Sequence, residues 1–245
     1  PTRFVRLGSQ AADPESGWWW LRQAPPAPGA NLDEQIEVAV VKALQKQSPI
    51  TEDTLFRDLF TLFPGTLTPD PQYVLAVLQS YGSQDEDRAW RLNANENPKQ
   101  RTSDLNDMRR ALGLLAKRLG FQTEIAKNPS ANSHESVLWK DSSAEPAYLF
   151  YLSASACIQA DLLQTQPLPA NRCISVIPGG RSQLITLRLS RDPRLAQLAA
   201  QGWRFIKFRQ VRSLSESGDL TLKTLESAFS NDPPTQQETE QLSLF

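Results

Sequence analysis

One histidine and two cysteines are all that this 245-residue chain holds as soft metal ligands. Cys157 and Cys173 are too far apart for a structural zinc spacing. Each sits in an apolar run and reads as a buried free thiol, with a disulfide between them left open. His134 lies in the polar stretch Asn132-Ser133-His134-Glu135, which reads as a loop and a surface imidazole rather than a catalytic base. Net charge is −1, from 26 Lys and Arg against 27 Asp and Glu, so no global basic signal draws the chain to nucleic acid. No run of about eighteen apolar residues is present, which excludes a membrane-spanning helix of the ordinary kind. No leader with a basic start and an apolar core is present either; the expected location is the cytoplasm. Pro178-Gly179-Gly180-Arg181 is rich in glycine but lacks the Lys followed by Ser or Thr that a P-loop requires. It reads as a tight strand-to-helix turn whose amides and Arg181 are placed to contact a phosphate. With no complete catalytic signature, no catalytic residue, metal ligand or cofactor is assigned.

What is present is ordinary for a soluble protein, 40% hydrophobic and 22% charged, in a length that suits one large domain or two small ones. The chain opens at Pro1 directly in a strand-like run, Arg3–Leu7, and reads as the C-terminal part of a longer protein. Residues 1–30 form an extension or the end of a preceding domain. Their Trp18-Trp19-Trp20-Leu21 run favours packing as a strand over stacking on bases.

Residues 31–95 read as a helical, winged-helix-like unit. Asn31 with Glu34 resembles a capping box, and Leu32, Ile36, Val40 and Leu44 repeat at helical spacing. A second helix follows Thr51, with Leu55, Leu59 and Leu62 on one face, and ends at Pro64-Gly65. A third starts at Thr68-Pro69-Asp70, since proline suits the first helical position, and buries Tyr73, Val77 and Tyr81. A short strand spans Ala89–Leu92. The third helix carries no Lys or Arg, which argues against its lying in a DNA groove, because phosphate contacts supply most of the affinity there.

Residues 103–230 read as an α/β domain with a mixed sheet. A helix from Ser103 carries Leu105, Met108, Leu112, Leu115 and Leu119 on one face, and Gly120 ends it. Strand-like runs follow at Phe121–Ala126, Ser136–Trp139, Ala147–Leu152, Cys173–Ile177 and Trp203–Phe208, with helical runs at Ser155–Gln164 and Pro193–Ala200. This order resembles the restriction-endonuclease-like fold over about half the chain. The runs Ser136-Val137-Leu138-Trp139 and Ala147–Ser153 resemble its paired core strands, and Cys173–Pro178 the strand after them. The resemblance implies an aspartate on the first core strand and a Glu-x-Lys-like pair on the next, which hold Mg²⁺ for phosphodiester hydrolysis. Those positions fall here at Ser136, with Glu135 beside it, and at Tyr151 and Ser153. Hydroxyls do not replace carboxylates around a hard cation, so the resemblance implies a domain that has lost its nuclease chemistry. The alternative is an active nuclease with displaced ligands at Glu124, Glu135 and Asp141.

The stretch 172–212 is locally basic, with Arg172, Arg181, Arg188, Arg191, Arg194, Arg204, Lys207, Arg209 and Arg212 against the single acid Asp192. Arginine's fork suits phosphate recognition, and all of these but Arg172 are the candidate contacts for non-specific DNA binding. Alternation along 203–208 places Trp203, Phe205 and Lys207 on one face and Arg204, Ile206 and Phe208 on the other. The cations therefore do not share a single face. A second basic group, Arg101, Arg109, Arg110, Lys117 and Arg118, lies on the helix that precedes the sheet.

Residues 231–245 read as a flexible tail. Asn231–Glu240 has two prolines and no apolar side chain, as befits an extended solvated linker. The last five residues, Gln241-Leu242-Ser243-Leu244-Phe245, resemble the peptide by which bacterial DNA polymerases, mismatch-repair proteins and clamp loaders dock on the DNA sliding clamp. The resemblance implies that Leu242, Leu244 and Phe245 enter apolar pockets while Gln241 hydrogen-bonds at the rim. The expected partners are thus a bacterial sliding clamp and DNA. The expected role is that of a noncatalytic accessory region of a DNA-processing protein, with a purely structural scaffold as a rival.

Overall fold

The computed structural model describes residues 4–7, 18–21, 31–63, 69–127, 135–163 and 167–230. They divide into a small unit that ends at Asn31 and a second that begins at Leu32. The small unit pairs β1 (Phe4–Leu7) antiparallel with β2 (Trp18–Leu21), so the two expected strands face each other, Phe4 opposite Leu21 and Leu7 opposite Trp18.

The second unit opens with three helices. In α1 (Leu32–Lys46) the i, i+4, i+8 series Ile36, Val40, Leu44 is buried, and Asp33 and Glu34 stand in the first turn, where the helix dipole favours negative charge. Thr51 caps α2 (Glu52–Leu62) by accepting a hydrogen bond from Thr54 N at 3.4 Å. Leu55 and Leu59 are buried, but Leu62, expected on the same face, is 61% exposed; Phe63, at the end of the helix, is buried instead. Asp70 caps α3 (Pro71–Tyr81), so the proline at the first helical position is Pro71 rather than Pro69. Next, β3 (Gly82–Gln84) and β4 (Trp90–Leu92) pair as a short antiparallel hairpin. Gly82 is required there by close approach, since a Cβ would lie 2.6 Å from Arg91 O.

Asn97 caps α4 (Pro98–Arg118), five residues before the expected start, by accepting from Gln100 N at 2.9 Å. Gly120, at φ +81°, turns the chain out of the helix in the left-handed region that glycine enters without strain. The five-stranded sheet follows, its strands lying side by side in chain order: β5 (Gln122–Lys127), β6 (Glu135–Lys140), β7 (Pro146–Leu152), β8 (Cys173–Ile177) and β9 (Arg204–Lys207). The first three are antiparallel to one another, and β7, β8 and β9 run parallel. The parallel pairs need crossovers. One is α5 (Gln159–Leu162), shorter than the expected Ser155–Gln164, and the other is α6 (Ser182–Arg191) with α7 (Pro193–Ala200). After β9 come α8 (Phe208–Glu216) and α9 (Leu222–Ser227).

Strand alternation divides the interior into two cores. Phe150, Leu152, Ile174, Val176 and Ile206 pack with Met108, Leu112 and Leu115 of α4 and Val211 of α8. Leu149, Tyr151, Cys173, Ile177 and Phe205 pack with Leu184, Ile185 and Leu195, and the same core runs on through Ile36, Val40, Leu55, Tyr73 and Tyr81 of α1–α3. The stretches expected as units at 31–95 and 103–230 therefore share a core. Burying a side chain the size of Phe205 or Leu44 contributes about 1.5–3 kcal/mol, so the shared core binds the helices firmly to the sheet. Among the described residues no helix is long and apolar enough to cross a membrane.

Candidate functional site

The positions where the nuclease resemblance would place metal ligands lie in one row across the sheet. Ser136 on β6 is opposite Tyr151 on β7, Tyr151 is beside Ser175 on β8, and Ser175 is beside Phe205 on β9. Ser136, Tyr151 and Ser175 are all buried. Tyr151 stacks on Trp203 at 5.4 Å between ring centroids, and Trp203 Nε1 donates to Ser175 Oγ at 3.0 Å. Ser153 follows β7 and turns its hydroxyl to its own loop, donating to Ser155 O at 2.8 Å. An aromatic stack and neutral hydroxyls thus occupy the row. Its chemistry is that of a packed interior, since a hard divalent cation needs anionic oxygens.

The displaced ligand set does not converge either. Glu135 begins β6 and pairs with Arg109 at 2.9 Å, while Asp141 follows the last residue of the same strand. Six residues of strand separate them by about 20 Å. Glu124 sits on β5 opposite Leu138 and pairs with Lys140 at 2.5 Å. Asp141 accepts from the Ser143 and Glu145 amides in a tight turn. No ion spans such distances. Among the described residues no group of three or more His, Cys, Asp or Glu is placed to hold a metal ion. Cys157 and Cys173 are both free thiols. His134 lies outside the described residues.

Most of the arginines expected on a DNA-contacting surface are engaged in holding the fold together. Arg188 is 3% exposed at its side chain. It donates to Glu37 Oε2 at 2.6 Å, Tyr73 OH at 2.6 Å, Ala156 O at 2.7 Å and Asp33 O at 3.1 Å, with Glu34 at 3.5 Å. Glu37 also accepts from Tyr81 OH and, at 2.9 Å, from Ala156 N; Glu34 accepts from Gln159 N at 2.9 Å. This buried network ties α1 and α3 to α6 and to the loop after β7. Burial opposes the charge on Arg188, but Glu37, Tyr73, Cys157 and Glu34 hold its pKa above the ordinary value; burial pushes the Tyr73 phenol up.

Arg181 is fully buried. Its guanidinium lies 3.4 Å over the Tyr81 ring, pairs with Glu96 and donates to Ser80 O. The glycine-rich turn before it is also occupied, since Ser80 Oγ donates to Gly180 O at 2.6 Å. The turn expected to meet a phosphate instead docks on the end of α3. Five of the eleven residues of α3 are buried, Tyr73, Val74, Val77, Leu78 and Tyr81, and the helix carries no Lys or Arg on the rest of its surface.

The remaining cations divide. Arg191 pairs with Asp70 at 2.6 Å and Asp33 at 3.5 Å; Arg194 pairs with Asp192 at 2.8 Å; Arg212 pairs with Asp104 at 3.0 Å. Lys207 is buried at the end of β9, and Arg209 is exposed at the start of α8. Arg204 is half-buried at the start of β9, its guanidinium 4.6 Å from the centre of the Phe229 ring. The structure thus brings Arg181, Arg188 and Arg191 onto the contact between α6 and the helices α1 and α3, and disperses the rest. The acids that receive them were not legible as partners in the sequence, because Glu37 stands 151 residues from Arg188 and Asp70 stands 121 residues from Arg191. Gln241, Leu242, Ser243, Leu244 and Phe245 lie outside the described residues.

No family model matches this chain, and no curated protein matches it.

Proposed function

We propose that this chain is a noncatalytic accessory region of a bacterial DNA-processing protein, held at the replication machinery through its last five residues. The observation that carries the reading is the run Gln241-Leu242-Ser243-Leu244-Phe245, which resembles the sliding-clamp peptide at every position and follows a polar, proline-containing linker. Burying three such apolar side chains in preformed pockets gives roughly 5 kcal/mol before ordering costs, which corresponds to micromolar affinity for one peptide and more on a multi-site ring.

The fold supports the noncatalytic half of the proposal. A meander of three antiparallel strands continued by two parallel ones, in chain order, with a helix before it and helices in the crossovers, is what the restriction-endonuclease-like resemblance implies. In that reading Ser136, Tyr151 and Ser153 occupy the ligand positions, and the domain serves as a scaffold. The three helices and the β3–β4 hairpin then form a winged-helix-like element whose third helix faces the protein interior. DNA contact, in this reading, is secondary and non-specific.

Calorimetric titration of the chain into a purified bacterial sliding clamp tests the proposal, beside a variant that lacks residues 241–245. Micromolar binding that disappears on truncation is expected. Equal binding by both, or none by either, removes the proposal's main support.

A further inference from the structure

Beyond that reading, we propose that the open cleft at the N-terminal ends of β7, β8 and β9 is a subsite for a phosphate group, formed by Arg172, Arg204 and Asn171. The cleft has a volume of about 390 Å³ and is lined by Tyr148, Asn171, Arg172, Gly202, Arg204 and Glu226. It lies at the opposite end of the parallel strands from Ser153 and Lys207 and shares no residue with the nuclease-like row.

Arg204 is the first reason. Arg109, Arg181, Arg188, Arg191, Arg194 and Arg212 each pair with a carboxylate, and among the described residues Arg204 does not. Its Nη2 donates to Asn171 O, its plane lies over Phe229, and its Nε is buried with no hydrogen-bond partner. A half-buried guanidinium held at a fixed place without a counter-ion is costly, and an anion in the cleft would offset that cost. Burial lowers the Arg204 pKa, against the opposing pull of Tyr148 and Glu226.

Arg172 is the second reason. It is exposed on the rim of the same cleft, just before β8, and its side chain makes no hydrogen bond or ion pair among the described residues. Two guanidiniums line the cleft together with Asn171, and so many N–H donors match the several acceptor oxygens of a phosphate better than the two oxygens of a carboxylate. The one acid in the lining, Glu226, already accepts from Tyr148 OH at 2.6 Å and leaves the cleft with one net positive charge from its two arginines. Gly202 keeps the floor open: at φ +99°, a Cβ there would press on Asn171 Cβ at 3.1 Å. Arg204 is held in advance by Asn171 O and the Phe229 ring, so little of its side-chain entropy is lost when an anion enters.

The subsite does not depend on clamp docking. Its test is a calorimetric titration of inorganic phosphate into the full chain at constant ionic strength, repeated with Arg172→Met and Arg204→Lys. Arg172 has no partner to lose, so its variant is expected to fold as the parent does, with an unchanged urea midpoint. Saturable binding that weakens about tenfold in each variant is expected, the loss of one charge-assisted contact. Competition by a short DNA duplex would identify the natural source as the DNA backbone. Binding that a duplex leaves unchanged would identify it as a free phosphorylated molecule. No saturable heat, or equal affinity in the parent and Arg172→Met, overturns the subsite.

Discussion

Replacing Arg188 with leucine tests the view that the arginines of 172–212 hold the fold together. The side chain is 3% exposed and Glu37 beside it is 1% exposed, so neither charge is screened by water. Leucine fills part of the volume but leaves Glu37 with its Tyr81 and Ala156 donors and no counter-charge. It also strands Tyr73 OH and the carbonyl of Ala156. Removing one partner of a buried ion pair costs about 3–5 kcal/mol, and in a unit of this size that lowers the melting temperature by roughly 10 °C. Urea denaturation followed by tryptophan fluorescence reads the change as a shift in midpoint. Glu37→Gln keeps an acceptor for Tyr81 and Ala156 while removing the charge. In that background the cost of Arg188→Leu is expected to fall by about 1–3 kcal/mol, the coupling of two groups in one network. A single-variant cost below about 1 kcal/mol, or strict additivity in the double variant, would refute the reasoning. A loss of DNA affinity with stability intact would return Arg188 to the role of a phosphate contact.

Burial pushes the Cys173 thiol up to about 12 and the Cys157 thiol up as well, with Glu37 adding to the latter. Both are expected to alkylate slowly near neutral pH in the folded chain and readily in urea, and labelling at equal rates in the two states would contradict their burial. Asp33 has its pKa raised above 3.8, by burial first and against the pull of Arg191 and Arg188. A carboxyl whose folded pKa is raised favours folding below its unfolded value and loses that contribution as pH climbs through the folded value. Asp33→Asn is therefore expected to gain on the parent as pH rises above 3.8, read in urea midpoints, and a flat difference would count against it. Few cations of 172–212 are uncommitted, so if the chain binds DNA through that stretch, log K against log salt is expected to have a slope no steeper than about −3. A slope near −6 or steeper would point to a basic surface of another kind.

The elements that the sequence announced are those whose own residues decide them. The series Ile36, Val40, Leu44 and the alternation through Ala147–Leu152 required no knowledge of partners. So did the face split at 203–208, which places Phe205 and Ile206 in different cores. The less legible elements depended on distant contacts. The helix Ser182–Arg191 looks polar in sequence because its Arg188 is buried by acids on α1. The helix Phe208–Glu216 was read as the end of a strand, since Phe208 completes the apolar alternation before the backbone turns. At the nuclease-like row the residue types were readable, whereas the Tyr151–Trp203 stack that fills it was not, because those residues meet only when β7, β8 and β9 are assembled. The cleft at Arg172 and Arg204 had no local signal beyond the general arginine content.

A basic stretch in a chain of net charge −1 must have its counter-charges somewhere. Here they are concentrated on the elements before the sheet: Asp33, Glu34 and Glu37 on α1, Asp70 at the cap of α3, Glu96 before α4 and Asp104 within it. Arg181, Arg188 and Arg191 and the acids that meet them are the two sides of one intramolecular contact, Arg212 pairs separately with Asp104, and folding consumes most of the charge that sequence presents as a patch. Coulomb attraction at low dielectric then selects one docking of the helices on the sheet, because any shift in register would separate Arg188 from Glu37 and Arg181 from Glu96 while both remained buried. Against this background an arginine of 172–212 that is held in place yet pairs with no carboxylate among the described residues is the exception. Arg204 is such a residue, and Arg172, with no partner of its own, stands on the rim of the same cleft. Charge left over after the internal pairing is charge available to a ligand, and within 172–212 Arg172 and Arg204 place it at the N-terminal ends of β7, β8 and β9.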